Sequence, residues 1–306
     1  MHIFDLHCDT ITECLRLNKS LNDNDLHLDL KRGNQYERWI QTFAFWINDC
    51  YRGEEAFHQF MLQRNLLMNE LEAYPNEFER YQIGKEPTPH KCNVIMAVEG
   101  GHVLGGDLHK IEQLSKLGVS YLTLTWNDDN EIGCGAKGSN TGLTAFGKDV
   151  VRELERCNIV VDISHLNEAG FWDVCEIATK PIIATHSNAR AIHDNKRNLY
   201  DDQLTYIIQH NGICGINFFP EFINGTKDAT LDDIKRHVDH ILSLGGENIL
   251  AIGSDFDGAL MPKILSGVQT LYILYENMVK WYGEKIAEKI FYKNAKYFID
   301  NGISVN

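Results

Sequence analysis

The chain has 306 residues, with 29 lysines and arginines against 43 aspartates and glutamates, so its formal net charge at pH 7 is −14. This acidity argues against a protein that binds nucleic acid without regard to sequence, because affinity for phosphate backbones requires clustered positive charge. Hydrophobic residues make up 43% and charged residues 24% of the chain, as in an ordinary globular protein, and no stretch approaches the ~18 apolar residues of a membrane span.

The amino terminus, MHIFDLHCDT, is the first informative segment. Acidic residues and histidine interrupt its apolar residues, and the basic-then-apolar order of a secretory signal is missing. We therefore expect a cytoplasmic protein that binds neither nucleic acid nor membranes.

Eight short runs of apolar and β-branched residues recur along the chain at intervals that leave room for a helix. They span Ile3–His7, Thr42–Ile47, Asn93–Glu99, Ser120–Trp126, Ile159–His165, Pro181–His186, Ile213–Phe218 and Ile249–Asp255. Apolar residues at helical spacing fill Phe146–Cys157, Glu168–Ile177, Asp201–Gln209 and Leu231–Leu244. Alternating strands and helices predict an α/β fold with a parallel sheet, and eight units predict a closed (β/α)8 TIM barrel. A doubly wound open sheet is the alternative.

Two segments interrupt this alternation. Asn48–Cys92 contains a helical pattern at Glu54–Leu71 and a Pro-rich stretch at Lys85–His90, and Asn127–Thr144 is rich enough in Gly and Asn to be a loop. We find no interdomain linker. The sequence therefore predicts one barrel domain over residues 1–306, with an inserted helical and loop excursion at about residues 48–92.

Five of the eight predicted strands end in side chains that can bind a metal or exchange a proton. These are His7 and Asp9 at the first strand, Glu99 at the third, His165 at the fifth, His186 at the sixth and Asp255 at the eighth. The carboxyl ends of all strands of a barrel meet at one mouth. We therefore expect these residues to lie together although they are far apart in sequence.

The alternation of side chains along a strand predicts which residues point into the barrel. The spacing H-x-D puts His7 and Asp9 on the same face of the first strand. Three other residues each top an apolar column on the inward face: Glu99 above Ile95 and Ala97, His165 above Val161 and Ile163, and His186 above Ile182 and Ala184. Asp162 has the opposite parity to His165, and we interpret it as a buried, hydrogen-bonded structural carboxylate.

The chemistry of this set indicates metal ions. Three imidazoles and three carboxyl groups in one cavity need a compensating cation, and mixed nitrogen and oxygen ligands suit zinc or a related divalent ion. Six ligand-type groups exceed one tetrahedral site, whereas two metals sharing a bridging carboxylate use that number. Such a pair lowers the pKa of a bridging water, so that hydroxide exists at neutral pH.

Several motifs together point to a known family. They are DLHCDT, AVEGG, YLTLTWN, VDISH, ATHSNARAI, KRN and IGSDFDG, and they cover most of the chain. With them the sequence resembles the membrane (renal) dipeptidase family, binuclear zinc peptidases of the amidohydrolase superfamily. The resemblance implies a TIM barrel of the metal-dependent hydrolase type. The resemblance implies a dipeptidase that hydrolyses dipeptides, including those with a carboxyl-terminal D-residue, by a hydroxide bridging two Zn²⁺ per chain, other divalent ions being alternatives. It also implies a homodimer.

The resemblance assigns roles to single residues. His7 and Asp9 would bind one zinc ion, His165 and His186 the other, and Glu99 would bridge both. Arg197, in KRN, would bind the substrate carboxylate, for which arginine offers bidentate geometry. Asp255 would carry the proton from the attacking water to the departing amine, as general acid–base catalysis requires.

Two of these roles have competitors in the sequence. Asp257 lies in the same SDFDG run as Asp255 with equal parity, and we favour Asp255 because it ends the strand. Arg190 competes with Arg197 for the substrate carboxylate, and only the KRN resemblance favours Arg197.

One position departs from the family pattern. Mammalian members have a histidine after LTLT that contacts the substrate carbonyl, whereas this chain has Trp126 followed by Asn127. An indole N–H donates one hydrogen bond but carries no charge. We expect Trp126 or Asn127 to bind the substrate instead, or turnover to be slower, or the preferred substrate to differ.

Other functions fit the same scaffold, because a fold does not fix a function. A deaminase, a cyclic amidase or a phosphotriesterase would keep the binuclear centre and break another bond. A non-catalytic metal-binding homologue is a third alternative, motivated by Trp126. The match at Arg197 favours the dipeptidase.

Overall fold

Nine strands, all paired in parallel, run through the computed structural model, which describes residues 1–302. The strands are β1 (His2–Cys8), β2 (Arg38–Trp46), β3 (Phe78–Arg80), β4 (Cys92–Glu99), β5 (Val119–Thr123), β6 (Val160–Asp162), β7 (Ile183–Ala184), β8 (Ile213–Ile216) and β9 (Leu250–Ile252).

Twelve α-helices surround these strands in the described part of the chain. They are α1 (Thr10–Leu17), α2 (Leu30–Gly33), α3 (Gly53–Ala73), α4 (His109–Lys116), α5 (Ala145–Arg156), α6 (Glu168–Ile177), α7 (Asp201–Gln209), α8 (Pro220–Ile223), α9 (Leu231–Ser243), α10 (Leu271–Tyr282), α11 (Glu284–Glu288) and α12 (Asn294–Gly302). Over residues 1–302, no helix is both long enough and apolar enough to cross a membrane.

Eight of the strands close into a barrel. β2 pairs with both β1 and β4, and the other strands pair in sequence order from β4 to β9, which returns to β1. β4 lies beside β2 along its whole length, from the pair Trp39–Cys92 to the pair Trp46–Glu99. The predicted (β/α)8 barrel is therefore confirmed, and the open-sheet alternative is wrong.

β3 is the strand that the sequence pattern did not predict. It pairs with Cys92–Val94 at the start of β4, and β5 begins to pair with β4 at Met96. The segment Asn48–Cys92 also contains α3, whose Phe60 and Leu67 pack into the core. α3 thus takes the place of the crossover helix between β2 and β4, and the division into one domain with an inserted excursion stays a proposal.

The helices agree closely with the predicted ranges, whereas the last five predicted strands all extend beyond the carboxyl-terminal ends of the observed strands. β5 ends at Thr123 and not at Trp126, so Trp126 lies in a loop. This loop continues to Thr144, whose hydroxyl accepts a hydrogen bond from the Gly147 backbone N–H and caps α5. The loop therefore begins earlier in the chain than predicted.

The buried apolar side chains form two layers, one inside the barrel and one around its outer surface. The inner layer takes at least one residue from every barrel strand, and the outer layer lies between strands and helices. Ile95 and Ala97 belong to the inner layer, as predicted. The columns predicted below His165 and His186 belong to the outer layer, so their assignment to the barrel interior is wrong: Val161, Ile163, Ile182 and Ala184.

The Thr185 carbonyl lies close to two glycines, Gly215 on β8 and Gly253 directly after β9. A Cβ atom added at Gly215 would lie 2.0 Å from the Thr185 carbonyl oxygen, and one added at Gly253 would lie 1.9 Å from it. Real Cβ atoms do not approach backbone oxygen so closely. The strands can therefore approach one another here only if both positions are glycine.

Gly253→Ala is accordingly expected to lower the free energy of unfolding by about 1–3 kcal/mol, the usual cost of overpacking a core. Thermal unfolding measures this effect. Gly302→Ala is the control, because no described atom outside its own helix backbone and its chain neighbours lies within 4 Å of a Cβ added there. Equal melting temperatures of the two variants would show that the close approach at Thr185 is relaxed without cost.

Candidate active site

Six side chains from the predicted strand ends meet at the carboxyl-terminal mouth of the barrel. All six are buried: His7, Asp9, Glu99, His165, His186 and Asp255. They form three overlapping groups whose ligand-type atoms lie within 4.8 Å of one another: His7–Asp9–Glu99, Glu99–His165–His186 and His7–His186–Asp255. The structure thus brings together every residue of the predicted metal set, and Asp255 with them.

One group is built on the end of β1. His7 Nε2 lies 3.2 Å from Asp9 Oδ2 and 3.5 Å from Glu99 Oε2. Asp9 Oδ1 is buried and has no hydrogen-bond partner among the described residues. Burial, aided by the negative charge of Glu99, raises the pKa of Asp9 well above its usual range. Buried carboxyl groups this close together repel each other when charged, and a cation bound between them would compensate that charge.

The other group joins two histidines to Glu99. His165 Nε2 lies 2.8 Å from Glu99 Oε1 and 2.9 Å from His186 Nε2. Burial lowers the pKa of His165 to about 4 and that of His186 well below its usual value, so both rings are neutral at pH 7.

The hydrogen bonds of these two rings occupy Nδ1 and leave Nε2 free. His165 Nδ1 lies 3.1 Å from Asn127 Oδ1, and His186 Nδ1 lies 2.8 Å from Thr185 Oγ1. With the single proton of each neutral ring on Nδ1, both Nε2 lone pairs face each other across 2.9 Å. Facing lone pairs repel unless a cation lies between them, and this mixture of nitrogen and oxygen donors suits zinc or a similar ion.

Backbone turns, and not strand alternation, aim two of these side chains. β6 ends at Asp162, and His165 follows three residues later with a φ of +67°. Asp255 has a φ of +63°. Non-glycine residues rarely adopt this left-handed region, and such strain often occurs at functional sites. Position at a strand end therefore predicted correctly that these residues meet, whereas the period-two rule does not describe the backbone that carries His165 and Asp255.

The two competing aspartates differ in their surroundings. Asp255 Oδ1 lies 4.0 Å from His7 Nε2, and its Oδ2 accepts a hydrogen bond of 2.9 Å from the Asn217 side chain. Burial raises the pKa of Asp255 to about 6. Asp257 accepts hydrogen bonds from the Thr10 hydroxyl and from the His27 backbone N–H. Asp255 therefore lies beside the ligand set, whereas the carboxylate of Asp257 joins the start of α1 to the loop at His27.

Arg197 is buried beside the same centre, with 4% of its surface exposed. It forms no ion pair with the described residues, and its Nε has no hydrogen-bond partner there. Its Nη2 donates to the carbonyl oxygen of His186 at 3.3 Å. Burial lowers its pKa to about 10, which leaves it charged at neutral pH. A buried guanidinium without a carboxylate is costly, so an anionic ligand would stabilise it.

Arg190 has partners of its own. Its Nε lies 2.7 Å from Asp194 Oδ1, and its guanidinium lies over the Tyr200 ring at 4.3 Å. Of the two competing arginines, Arg197 is thus the one without a counter-ion.

A cavity of about 430 Å³ lies over the centre, and Trp126 and Asn127 line it. The Trp126 ring packs edge-on against Trp46 at 5.1 Å and lies 6.2 Å from the His165 ring. The Asn127 side chain contacts Nδ1 of His165. Asn127 therefore does two things from one position: it supports the ring of His165 and it lines the cavity.

Sequence patterns missed two polar residues of this site. Thr185 contacts His186, and Asn217 contacts Asp255. Both residues lie directly beside a strand end, Thr185 after β7 and Asn217 after β8. Their positions were the signal, although neither side chain is a metal ligand of the usual kind.

Comparison with solved structures gives close matches in fold. A crystal structure of dipeptidase AC, a metallopeptidase of family M19, superposes with a TM-score of 0.92 at 27% identity, over 100% of this chain and 99% of that one. A metallopeptidase from Rhodobacter sphaeroides, bound to a phosphinate mimic of the dipeptide L-Ala-D-Ala, gives 0.91 at 27% identity over 99% of each chain.

Sequence comparison agrees. An uncharacterised protein of Klebsiella pneumoniae, from the pqqA 5′ region, is 33% identical over 213 residues, which are 66% of this chain and 79% of that protein. Dipeptidase tcpJ of Claviceps purpurea is 32% identical over 272 residues, 83% of this chain but 63% of the fungal protein. The profile of the membrane dipeptidase family matches residues 1–297. The chain therefore belongs to the membrane dipeptidase family, peptidase family M19, and is a metallo-dipeptidase.

Proposed function

We propose that this chain hydrolyses dipeptides with two zinc ions and a hydroxide that bridges them, and that a D-residue is accepted at the carboxyl-terminal position. One observation carries the proposal above others: two sets of buried ligand atoms share Glu99 below a cavity, and Arg197, which donates to the His186 carbonyl, has no ion pair with the described residues. The Rhodobacter sphaeroides relative, which binds an L-Ala-D-Ala mimic, supports the D-residue.

The ligand sets divide between the two ions. His7 and Asp9 would bind one, His165 and His186 the other, and Glu99 would contact both through its two oxygens. When bound, the ions would polarise the scissile carbonyl and lower the pKa of water enough to give hydroxide at neutral pH. Glu99 also separates the two halves, because its Oε1 faces the histidine pair and its Oε2 faces His7.

The chain's own side chains would place and protonate the substrate. Arg197 would bind the free carboxylate, which gives its guanidinium the counter-ion that it lacks. Asp255, buried beside His7, would take the proton from the attacking water and donate it to the departing amine. Trp126 and Asn127 line the cavity and would contact the peptide group in place of the histidine of mammalian relatives.

Substrate panels test this function. The zinc-loaded protein should cleave L,L- and L,D-dipeptides, and amidation of their carboxyl end should abolish most of the activity because Arg197 then has no anion to bind. Simple cyclic amides are the comparison for another binuclear hydrolase. Cleavage of cyclic amides without cleavage of any dipeptide would overturn the proposal.

Metal analysis provides an independent prediction. The protein, loaded with zinc and then dialysed, should hold about two equivalents per chain, the stoichiometry of a two-metal site. His7→Ala should retain close to one, because it removes a ligand from one set only. His240→Ala is the matched control, since His240 lies on α9, pairs with Asp201 and belongs to none of the three ligand groups. Equal zinc contents of His7→Ala and His240→Ala would reject His7 as a ligand.

Two further expectations stay predictions from the sequence. They are the cytoplasmic location and the homodimer that the family resemblance implies. Light scattering on the purified protein tests the dimer.

A further inference from the structure

Two buried carboxylates that are not among the proposed ligands lie next to the centre. Asp162 on β6 has 1% of its surface exposed, and Asp5 on β1 has 0%. Neither forms an ion pair with any residue between 1 and 302. A buried carboxylate without a cation needs several donors, and each of these two has four.

The donors of Asp162 surround the histidine pair. Thr123 Oγ1 donates at 2.8 Å and the Ser164 backbone N–H at 3.0 Å. Thr185 donates twice, from its backbone N–H at 3.1 Å and from its hydroxyl at 2.7 Å. Asp162 therefore fixes the turn that leads to His165 and the residue that precedes His186.

The Thr185 hydroxyl has a direct consequence for His186. A hydroxyl has one proton, and this one is given to Asp162, so Thr185 Oγ1 accepts the bond of 2.8 Å from His186 Nδ1. The proton of the neutral ring is then on Nδ1, and Nε2 is free to bind a cation. Carboxylates that orient a ligand histidine in this way raise its basicity and fix its ring.

The donors of Asp5 surround the other ligand set. Ser254 donates from its backbone N–H at 2.9 Å and from its hydroxyl at 2.6 Å. The Gln41 side chain donates at 3.0 Å and the His7 backbone N–H at 3.3 Å. The next residue after Ser254 is Asp255, whose backbone N–H donates to the His7 carbonyl at 3.1 Å. Asp5 therefore holds His7 and Asp255 in register with each other.

We propose that Asp162 and Asp5 are separate positioning residues, each orienting one half of the metal centre. Asp162 acts through Thr185 on His186, and Asp5 acts through Ser254 on the strand ends that carry His7 and Asp255. The proposal depends on the two-metal part of the proposed function but not on the dipeptide substrate. It makes the two halves independently adjustable, since no described hydrogen bond joins the two carboxylates.

Replacement of Thr185 tests the first half. Thr185→Val has nearly the same shape but no acceptor for His186 Nδ1, so one of the two zinc affinities should fall about 10–100-fold. Thr185→Ser keeps the hydroxyl and should bind both ions with nearly wild-type affinity. Competition with a chromophoric zinc chelator measures both affinities, and melting temperatures show that each variant is folded. Wild-type affinities in Thr185→Val, or an equal loss in Thr185→Ser, would overturn the role of the hydroxyl.

Double variants assign each carboxylate to its half. With His186→Ala present, Thr185→Val should cause no further loss of zinc, whereas Ser254→Ala should weaken the ion that remains. With His7→Ala present, Thr185→Val should weaken binding of the ion that remains, whereas Ser254→Ala should cause no further loss of zinc. If Ser254→Ala and Thr185→Val weaken the same ion, or both ions equally, the division into halves is wrong.

The outcomes also separate this proposal from the proposed function. A protein that shows this pattern of zinc affinities but cleaves no dipeptide would keep the positioning roles and lose the substrate. A protein that cleaves dipeptides while both variants bind zinc as the wild type does would keep the function and lose the positioning roles. Failure to bind any divalent ion would overturn both.

Discussion

Asp255→Asn is expected to lower kcat for dipeptide hydrolysis by about 10²–10⁴-fold, the usual contribution of a general acid–base group. An asparagine oxygen can still accept the hydrogen bond from Asn217, so the loop should keep its conformation. The amide cannot take a proton from water and return it to an amine. Initial rates with a saturating dipeptide measure the loss, and zinc analysis should give the wild-type content.

Asp257→Asn is the matched control, because it makes the same chemical change two residues later. The Asp257 carboxylate accepts hydrogen bonds from Thr10 and His27, and Asp257 lines the same cavity as Asp255. We expect kcat to change by only a few-fold, with some loss of thermal stability. If Asp257→Asn abolished activity and Asp255→Asn did not, the proton carrier would be Asp257.

The barrel could be predicted from the sequence because its signals are local. Apolar, β-branched runs and amphipathic helices alternate eight times, and the structure confirms the closed parallel sheet. β3 has three residues, Phe78–Arg80, which is too short for a period of two to emerge. It forms because the start of β4 has a free edge there, and that is a tertiary property.

The meeting of the site residues could also be predicted, but the orientation of two of them could not. Position at a strand end is enough to bring residues to the mouth of a barrel. Side-chain alternation, however, holds only while the backbone stays extended. β6 stops at Asp162 and the backbone turns through a positive φ at His165, so the parity of Val161 and Ile163 says nothing about where His165 points.

Sequence spacing alone could not choose between the paired candidates. Arg190 and Arg197 are chemically identical, and what separates them is a counter-ion: Asp194 lies beside Arg190, and no carboxylate pairs with Arg197 among residues 1–302. Asp255 and Asp257 differ in the same way, through contacts with Asn217 and His27. These contacts depend on how loops fold over the mouth, which a single sequence does not specify.

Arg197→Met should lower kcat/KM for free dipeptides by about 30–5000-fold, because losing one partner of a buried, hydrogen-bonded charge pair costs about 2–5 kcal/mol. Methionine fills a similar volume without a charge, and replacing a buried charge that lacks a partner is often neutral or stabilising. The melting temperature should therefore not fall with the activity. Arg190→Met is the control, since that side chain is paired with Asp194 and stacked on Tyr200.

The amidated dipeptide makes this prediction specific for the carboxylate. Wild-type enzyme should prefer the free acid to the amide by a factor close to the loss in Arg197→Met, whereas the variant should cleave the two at similar rates. Arg197→Lys should prefer the free acid less than the wild type and more than Arg197→Met, because an ammonium keeps the charge but not the planar pair of donors. A variant that still prefers the free acid as strongly as the wild type would place the carboxylate against another cation, and Lys137, which lines the cavity over the centre, would be the next to replace.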